Sequence, residues 1–302
     1  MRVGLIDVDG HNFPNLPLMK ISAYHKSRGD SVEWYEPLFS GHMDKVYMSK
    51  VFTFTPDYPY CINAHEVIKG GTGYSYPDGG EELPEEIEHI YPDYQLYKDT
   101  FPDTAYGFLT RGCPRGCDFC IVGKKEGRCA RKVADLSEFW NGQKNIVLLD
   151  ANMFACKEWK DLSVQLIESG AWVDFSQGCD IRLMTDEKAE YIKRMKIKQV
   201  HFAWDRYEDK EKIVPQFKRF KEITQWDYRK LGVYVLCNFN TTFEQDLDRV
   251  YTLRELGYNP YVMLYEKDKL PAKHRLKLLQ RWVNNRIIFR SCKRFEEYDG
   301  RK

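Results

Sequence analysis

Short apolar runs that each stop at a polar residue recur through the last two-thirds of this chain. They are Tyr106-Gly-Phe-Leu-Thr110, Asn145-Ile-Val-Leu-Leu149 before Asp150, Trp172-Val-Asp-Phe175, Gln199-Val-His-Phe-Ala-Trp204 before Asp205, Val233-Tyr-Val-Leu236 before Asn238-Phe-Asn240, and Pro260 to Tyr265. Amphipathic stretches separate several of them: Trp159 to Glu168, Asp186 to Met195 with Thr185 as its N-cap, and Phe243 to Leu256. Strands that alternate with helices pair in parallel, because the helix supplies the long crossover that a parallel pair needs. Six such units over residues 105–290 predict a parallel, partly open (β/α)6 barrel. Ligands in such folds gather at the carboxyl ends of the strands. That rule selects Asp150, Asn152, Arg182, Asp205, Asn238 and Asn240 as candidate site residues.

A smaller α/β unit precedes this one, over residues 1–75. Val3-Gly-Leu-Ile6 reads as a first strand, Asn15 to Arg28 as a helix ended by Gly29, and Val32-Glu-Trp-Tyr35 as a second strand. Lys45-Val-Tyr-Met-Ser49, with Val51-Phe-Thr-Phe54 as its extension, reads as a third, and Glu66-Val-Ile-Lys69 leads into the turn Gly70-Gly-Thr-Gly73. Residues 76–104, rich in turn formers and acids, read as a linker, and 291–302 as a C-terminal tail. The basic run Lys273 to Arg286 fits a helix whose apolar side packs inward and whose cationic side is solvated.

The first long-domain strand runs directly into Arg111-Gly-Cys-Pro-Arg-Gly-Cys-Asp-Phe-Cys120. Three thiols, Cys113, Cys117 and Cys120, share one short loop. Three thiolates can hold three corners of a cubic iron–sulfur cluster and leave the fourth iron without a protein ligand. Gly112 and Gly116 permit the turns, Pro114 stiffens the first interval, and Arg111 and Arg115 can offset negative charge. Phe119 can shield the loop from water. A zinc site usually takes four ligands, and the next cysteine, Cys129, forms no second close pair. Cys156, Cys179 and Cys237 also fall near strand ends; they could converge on a second cluster, although free cysteine is among the most readily buried residues.

The Cys-x3-Cys-x-aromatic-Cys spacing resembles that of the radical S-adenosylmethionine (radical SAM) superfamily. The resemblance covers roughly Tyr106 to Phe289 and implies a partial radical SAM barrel carrying a 4Fe-4S cluster on Cys113, Cys117 and Cys120. It implies that S-adenosylmethionine binds the open iron and is cleaved to a 5′-deoxyadenosyl radical, which abstracts hydrogen from an unidentified substrate. Phe119 matches the aromatic of the motif. Asp150-Ala-Asn152 resembles the segment that receives the amino group, with Asn152 where an acid is commoner. Arg182 resembles the arginine that meets the carboxylate. Asp205, Asn238 and Asn240 resemble ribose contacts. An electron donor of flavodoxin or ferredoxin type is implied as partner. The first 75 residues resemble a reduced, Rossmann-like relative of cobalamin-binding domains, without the Asp-x-His-x-x-Gly signature; His11 follows Asp9-Gly10 in a different spacing.

Charge narrows the alternatives. Lys and Arg number 46 against 45 Asp and Glu, a net +1, which gives no global electrostatic case for nucleic acid and leaves only a local patch open. The chain has no apolar run of membrane-spanning length. An odd count of 9 cysteines suits a reducing cytoplasm. A non-catalytic iron–sulfur protein on the same fold and a zinc-stabilised nucleic-acid-binding module are the competing readings.

Overall fold

The computed structural model describes residues 1–10 and 12–300; His11 and the last two residues of the expected tail lie outside the described residues. The chain divides into two compact units, Met1–Ala171 and Trp172–Lys302. Both are mixed α/β with parallel strands, and among the described residues the sheets are open. No helix among them is long and apolar enough to cross a membrane.

The first unit opens with β1 (Arg2–Asp7), α1 (Leu16–Ser27), β2 (Ser31–Trp34), β3 (Met43–Ser49) and β4 (Ala64–Gly70). These strands form a parallel sheet in the order β2-β1-β3-β4. Alternation along β1 builds two cores. Val3 and Leu5 pack with Leu18 and Ile21 of α1, whereas Ile6 packs with Tyr35, Met43 and Met48. Asn15 caps α1 by accepting from the Leu18 amide at 3.3 Å.

The expected extension of β3 through Val51-Phe-Thr-Phe54 is corrected to a turn. The Asp9 carboxylate accepts from Val51 N (2.5 Å), Phe52 N (3.3 Å) and Thr55 Oγ1 (2.6 Å), taking donors that a strand ladder would need. Beyond the short helices α2 (Thr72–Ser75) and α3 (Glu85–Glu88), residues 76–104 are not a bare connector. Ile87 joins the core of Val3 and Leu5, and the buried Tyr97 donates to Asp7 at 2.7 Å. The unit continues with β5 (Thr104–Gly107), β6 (Thr110–Arg111), α4 (Val122–Lys125), β7 (Arg131–Lys132), β8 (Asn145–Leu148) and α5 (Trp159–Ser169). β5 and β8 pair in parallel; β6 and β7 form a short antiparallel ribbon.

The second unit runs β9 (Trp172–Phe175), α6 (Asp186–Arg194), β10 (Lys196–Ile197), β11 (Val200–Ala203), α7 (Lys210–Thr224), β12 (Leu231–Cys237), α8 (Phe243–Glu255), β13 (Asn259–Leu264), α9 (Arg275–Asn284) and α10 (Arg286–Ser291). β11, β12 and β13 pair in parallel, β10 pairs with β9, and a parallel bridge joins Cys179 to Phe202. Thr185 caps α6 as expected, accepting from Lys188 N at 3.3 Å. The basic run forms α9, with Leu276, Leu279, Trp282 and Val283 buried.

The core of this unit contains an ion pair that the sequence reading passed over. Arg249 is fully buried and its Nη2 meets Asp246 Oδ1 at 2.5 Å. Its Nη1 also donates to Trp204 O at 2.5 Å and its Nη2 to Leu236 O at 2.7 Å. One guanidinium thus satisfies carbonyls at the ends of β11 and β12. Both residues share the buried side of α8 with Val250 and Leu253, which is the pattern that could have exposed them. Removing the cation alone strands a buried carboxylate. Arg249→Met is therefore expected to cost about 3–5 kcal/mol, read as a lower urea midpoint, with Asp246→Leu added in the same chain recovering most of it. An unchanged midpoint in the single variant would contradict this role.

Candidate metal-binding loop

β5 and β8 are hydrogen-bonded neighbours, so the residues just past their carboxyl ends lie side by side. Past β8 stands Asp150, which is buried. Its carboxylate accepts from Leu109 N at 3.1 Å, Thr110 N at 2.5 Å and Thr110 Oγ1 at 2.6 Å. These groups form the root of the cysteine loop. Burial disfavours the charge and pushes the Asp150 carboxyl up to about 6; the bonds from Thr110 and Leu109 pull the other way without cancelling it.

The loop is closed at its base by β6 and β7, where Thr110 pairs with Lys132 and Arg111 with Arg131. A second carboxylate works inside this ribbon. The buried Glu126 accepts from Gly112 N at 3.1 Å through Oε2, and its carbonyl accepts from Arg131 Nη1 at 2.7 Å. Cys113 N donates to Gly127 O at 3.1 Å, so both ends of the excursion are clasped. Gly112 has a φ of 89°, and a Cβ there would stand 2.2 Å from the carbonyl oxygen of Cys129. Only glycine fits. Glu126 carries no sequence signal for this role, since its distance from Gly112 matches no motif.

Cys113 and Cys117 are half-buried and Cys120 is exposed. Cys120 N donates to Cys117 O at 3.0 Å, a tight turn that brackets the half-buried Phe119. Arg111 lies over the Phe108 ring at 4.1 Å and meets Glu88 at 3.3 Å, so its charge is partly satisfied away from the thiols. Asn152, also buried, donates from Nδ2 to Cys113 Sγ at 3.5 Å. Its Oδ1 is buried and makes no hydrogen bond. An unsatisfied buried acceptor costs free energy and suits a donor brought by a ligand.

Among the described residues no group of three or more His, Cys, Asp or Glu is gathered as a metal site. The three thiols share the loop without converging on one point. The donor set still fits an iron–sulfur group in kind: three thiols on a clasped loop, one receiving an amide N–H. Such a bond to a ligating sulfur is one of the levers on cluster potential.

The remaining candidates, Cys156 apart, belong to the second unit. Arg182 donates from Nε to Asp180 Oδ1 and from Nη1 to Asp209 Oδ2, both at 2.7 Å. Recognition of a ligand carboxylate there requires one of these pairs to open. Asp205 follows β11 and is half-buried. Asn238, at φ 69°, donates from Nδ2 to Tyr265 O at 2.9 Å and from its amide to Asp246 at 3.2 Å. It therefore holds the turn after β12, while Asn240 is exposed at φ 52°. Cys156, Cys179 and Cys237 are all buried. Burial, then a bond to Glu158 at 2.9 Å, pushes the Cys156 thiol up to about 11, which keeps it protonated at neutral pH.

Comparison of the chain with protein-family models and with curated proteins finds no match.

The Asp150 clasp has a signature in pH. Folded Asp150 holds its proton to about 6, whereas an unfolded carboxyl releases it near 3.8. Its contribution to stability is full below the lower value, falls as pH rises between the two, and is level above the higher. Urea unfolding at pH 4 and pH 7 should show wild type losing about 2 kcal/mol relative to Asp150→Asn over that interval. A difference that does not vary with pH would contradict the buried carboxyl.

Proposed function

We propose that the chain is a radical SAM enzyme acting on an unidentified substrate. The observation that carries this reading is the Cys113-x3-Cys117-x-Phe119-Cys120 loop, rooted by Asp150 at the carboxyl end of a parallel strand pair and touched by the Asn152 amide. We take the β/α succession from Thr104 to Leu264 as the partial barrel of that superfamily, preceded by a Rossmann-like unit. Parallel pairing in both units supports this reading.

On this reading Cys113, Cys117 and Cys120 hold a 4Fe-4S cluster. When bound, the cluster offers an open iron and one electron for reductive cleavage of S-adenosylmethionine. The chain's own residues supply placement. Asp150 and Glu126 fix the loop. Asn152 Nδ2 donates to the Cys113 sulfur, while its Oδ1 is free to accept from an ammonium. Phe119 limits water around the thiols. A flavodoxin- or ferredoxin-like donor in a reducing cytoplasm would deliver the electron.

Protein reconstituted anaerobically with iron and sulfide should hold about four irons per chain. With dithionite and S-adenosylmethionine it should release 5′-deoxyadenosine, and Cys117→Ala should release none. Iron binding without cleavage would instead favour the non-catalytic iron–sulfur reading, and a colourless zinc protein would overturn both.

Asn152→Leu keeps the side-chain volume and removes both polar atoms. Iron content should persist, while the dissociation constant for S-adenosylmethionine should rise about tenfold. Unchanged affinity in equilibrium dialysis would remove Asn152 from the cofactor site.

A further inference from the structure

The second unit's sheet is dressed on one face only. Phe202 and Trp204 of β11 and its continuation pack on Phe217 of α7, and Val233, Val235 and Val262 on the same face are fully buried. On the opposite face β11, β12 and β13 carry His201, Tyr234, Tyr261 and Met263, while Trp172 stands on β9, which belongs to a separate ladder and leads to the bridge between Cys179 and Phe202. Tyr261 is 48% exposed, Met263 46% and Trp172 41%. A sheet face that holds large rings in solvent is uncommon unless something binds it.

The rings are arranged rather than scattered. His201 stacks on Tyr234 with centroids 4.8 Å apart and planes 6° from parallel, and Tyr261 meets Tyr234 edge-on at 6.0 Å. The His201 ring lies across Gly232, its cross-strand partner, where a Cβ would come within 2.6 Å of the imidazole. Glycine at that position lets the imidazole lie flat. Burial, then the charge of Arg286, lowers the His201 pKa, which keeps the ring neutral and stackable.

Charge complements the rings. Residues 172–302 carry 28 Lys and Arg against 20 Asp and Glu, a formal +8 hidden within a whole-chain value of +1. Cations stand at the rim of the aromatic face: Lys198 lies 5.9 Å from the Trp172 ring, and Arg286 bonds Gln199 Oε1 at 3.1 Å. Asp174 lies within electrostatic reach of Lys198 and Tyr234, so phosphates would be held on the side of Lys198 and Arg286 away from that carboxylate.

We infer that this open face binds single-stranded nucleic acid, stacking unpaired bases on Tyr261 and the His201–Tyr234 pair, with Trp172 of the neighbouring β9 as a further exposed ring. Exposed rings on a sheet with a cationic border are the physical requirements of such a platform. Tyr234 stands three residues before Cys237, the end of β12, so a stacked base lies about 10 Å from that strand end. On the radical SAM reading, a nucleobase is then the substrate class.

Fluorescence anisotropy with a labelled 15-nucleotide RNA free of self-complementarity tests this without cluster or cofactor, so its failure would leave the enzymatic reading intact. Binding should weaken as salt rises. Tyr261→Ala and Trp172→Ala should each weaken it about tenfold, with far-UV circular dichroism and thermal midpoint retained because both rings are exposed. Lys198→Gln should lower the salt slope by about one. The inference is overturned if the strand fails to bind, if neither ring substitution changes affinity, or if the matching duplex binds as tightly.

Discussion

The candidate site depends on one buried carboxylate. Asp150 takes two backbone amides and a hydroxyl at the point where the chain leaves β5 for the cysteine loop. Without that acceptor, three donors in a water-poor environment have no partner, and the loop has no fixed root. Burial raises the cost of the charge while the bonds lower it, and burial wins. These bonds fix where the cysteine loop leaves the sheet.

The second unit uses a related device with the opposite bookkeeping. There a buried carboxylate, Asp246, is met by a buried guanidinium, Arg249, that also reaches two strand-end carbonyls. Asp246 additionally accepts from Asn238 N and so fixes the turn after β12. In both units, strand ends are tied by an acid from the following segment of chain. Parallel sheets make this useful, because their carboxyl ends carry loops whose backbone donors the ladder does not satisfy.

Much of this was legible in the sequence, and the failures are instructive. Short apolar runs located β1, β8, β11, β12 and β13, and Thr185 announced the start of α6. Strand-end polarity picked out Asp150 and Asn152, which the structure sets beside the loop, and Arg182 and Asn238, which are engaged by Asp180, Asp209 and Tyr265. Polarity at a strand end signals that hydrogen bonds are needed there; it does not say whether a ligand or the protein supplies them. Val51 to Phe54 misled because apolar character was read as strand, while Asp9, far off in sequence, claimed its amides. The net charge of +1 is likewise a sum that hides a formal +8 over residues 172–302.

The proposed cluster, with one iron left to a ligand, rests on the thiol spacing and the buried Asn152 acceptor. Electron paramagnetic resonance of the anaerobically reconstituted, dithionite-reduced protein, recorded before and after adding S-adenosylmethionine, tests that directly. A reduced four-iron signal whose shape changes on addition is the expected result. A cluster signal indifferent to S-adenosylmethionine, or no iron–sulfur signal at all, would contradict the account.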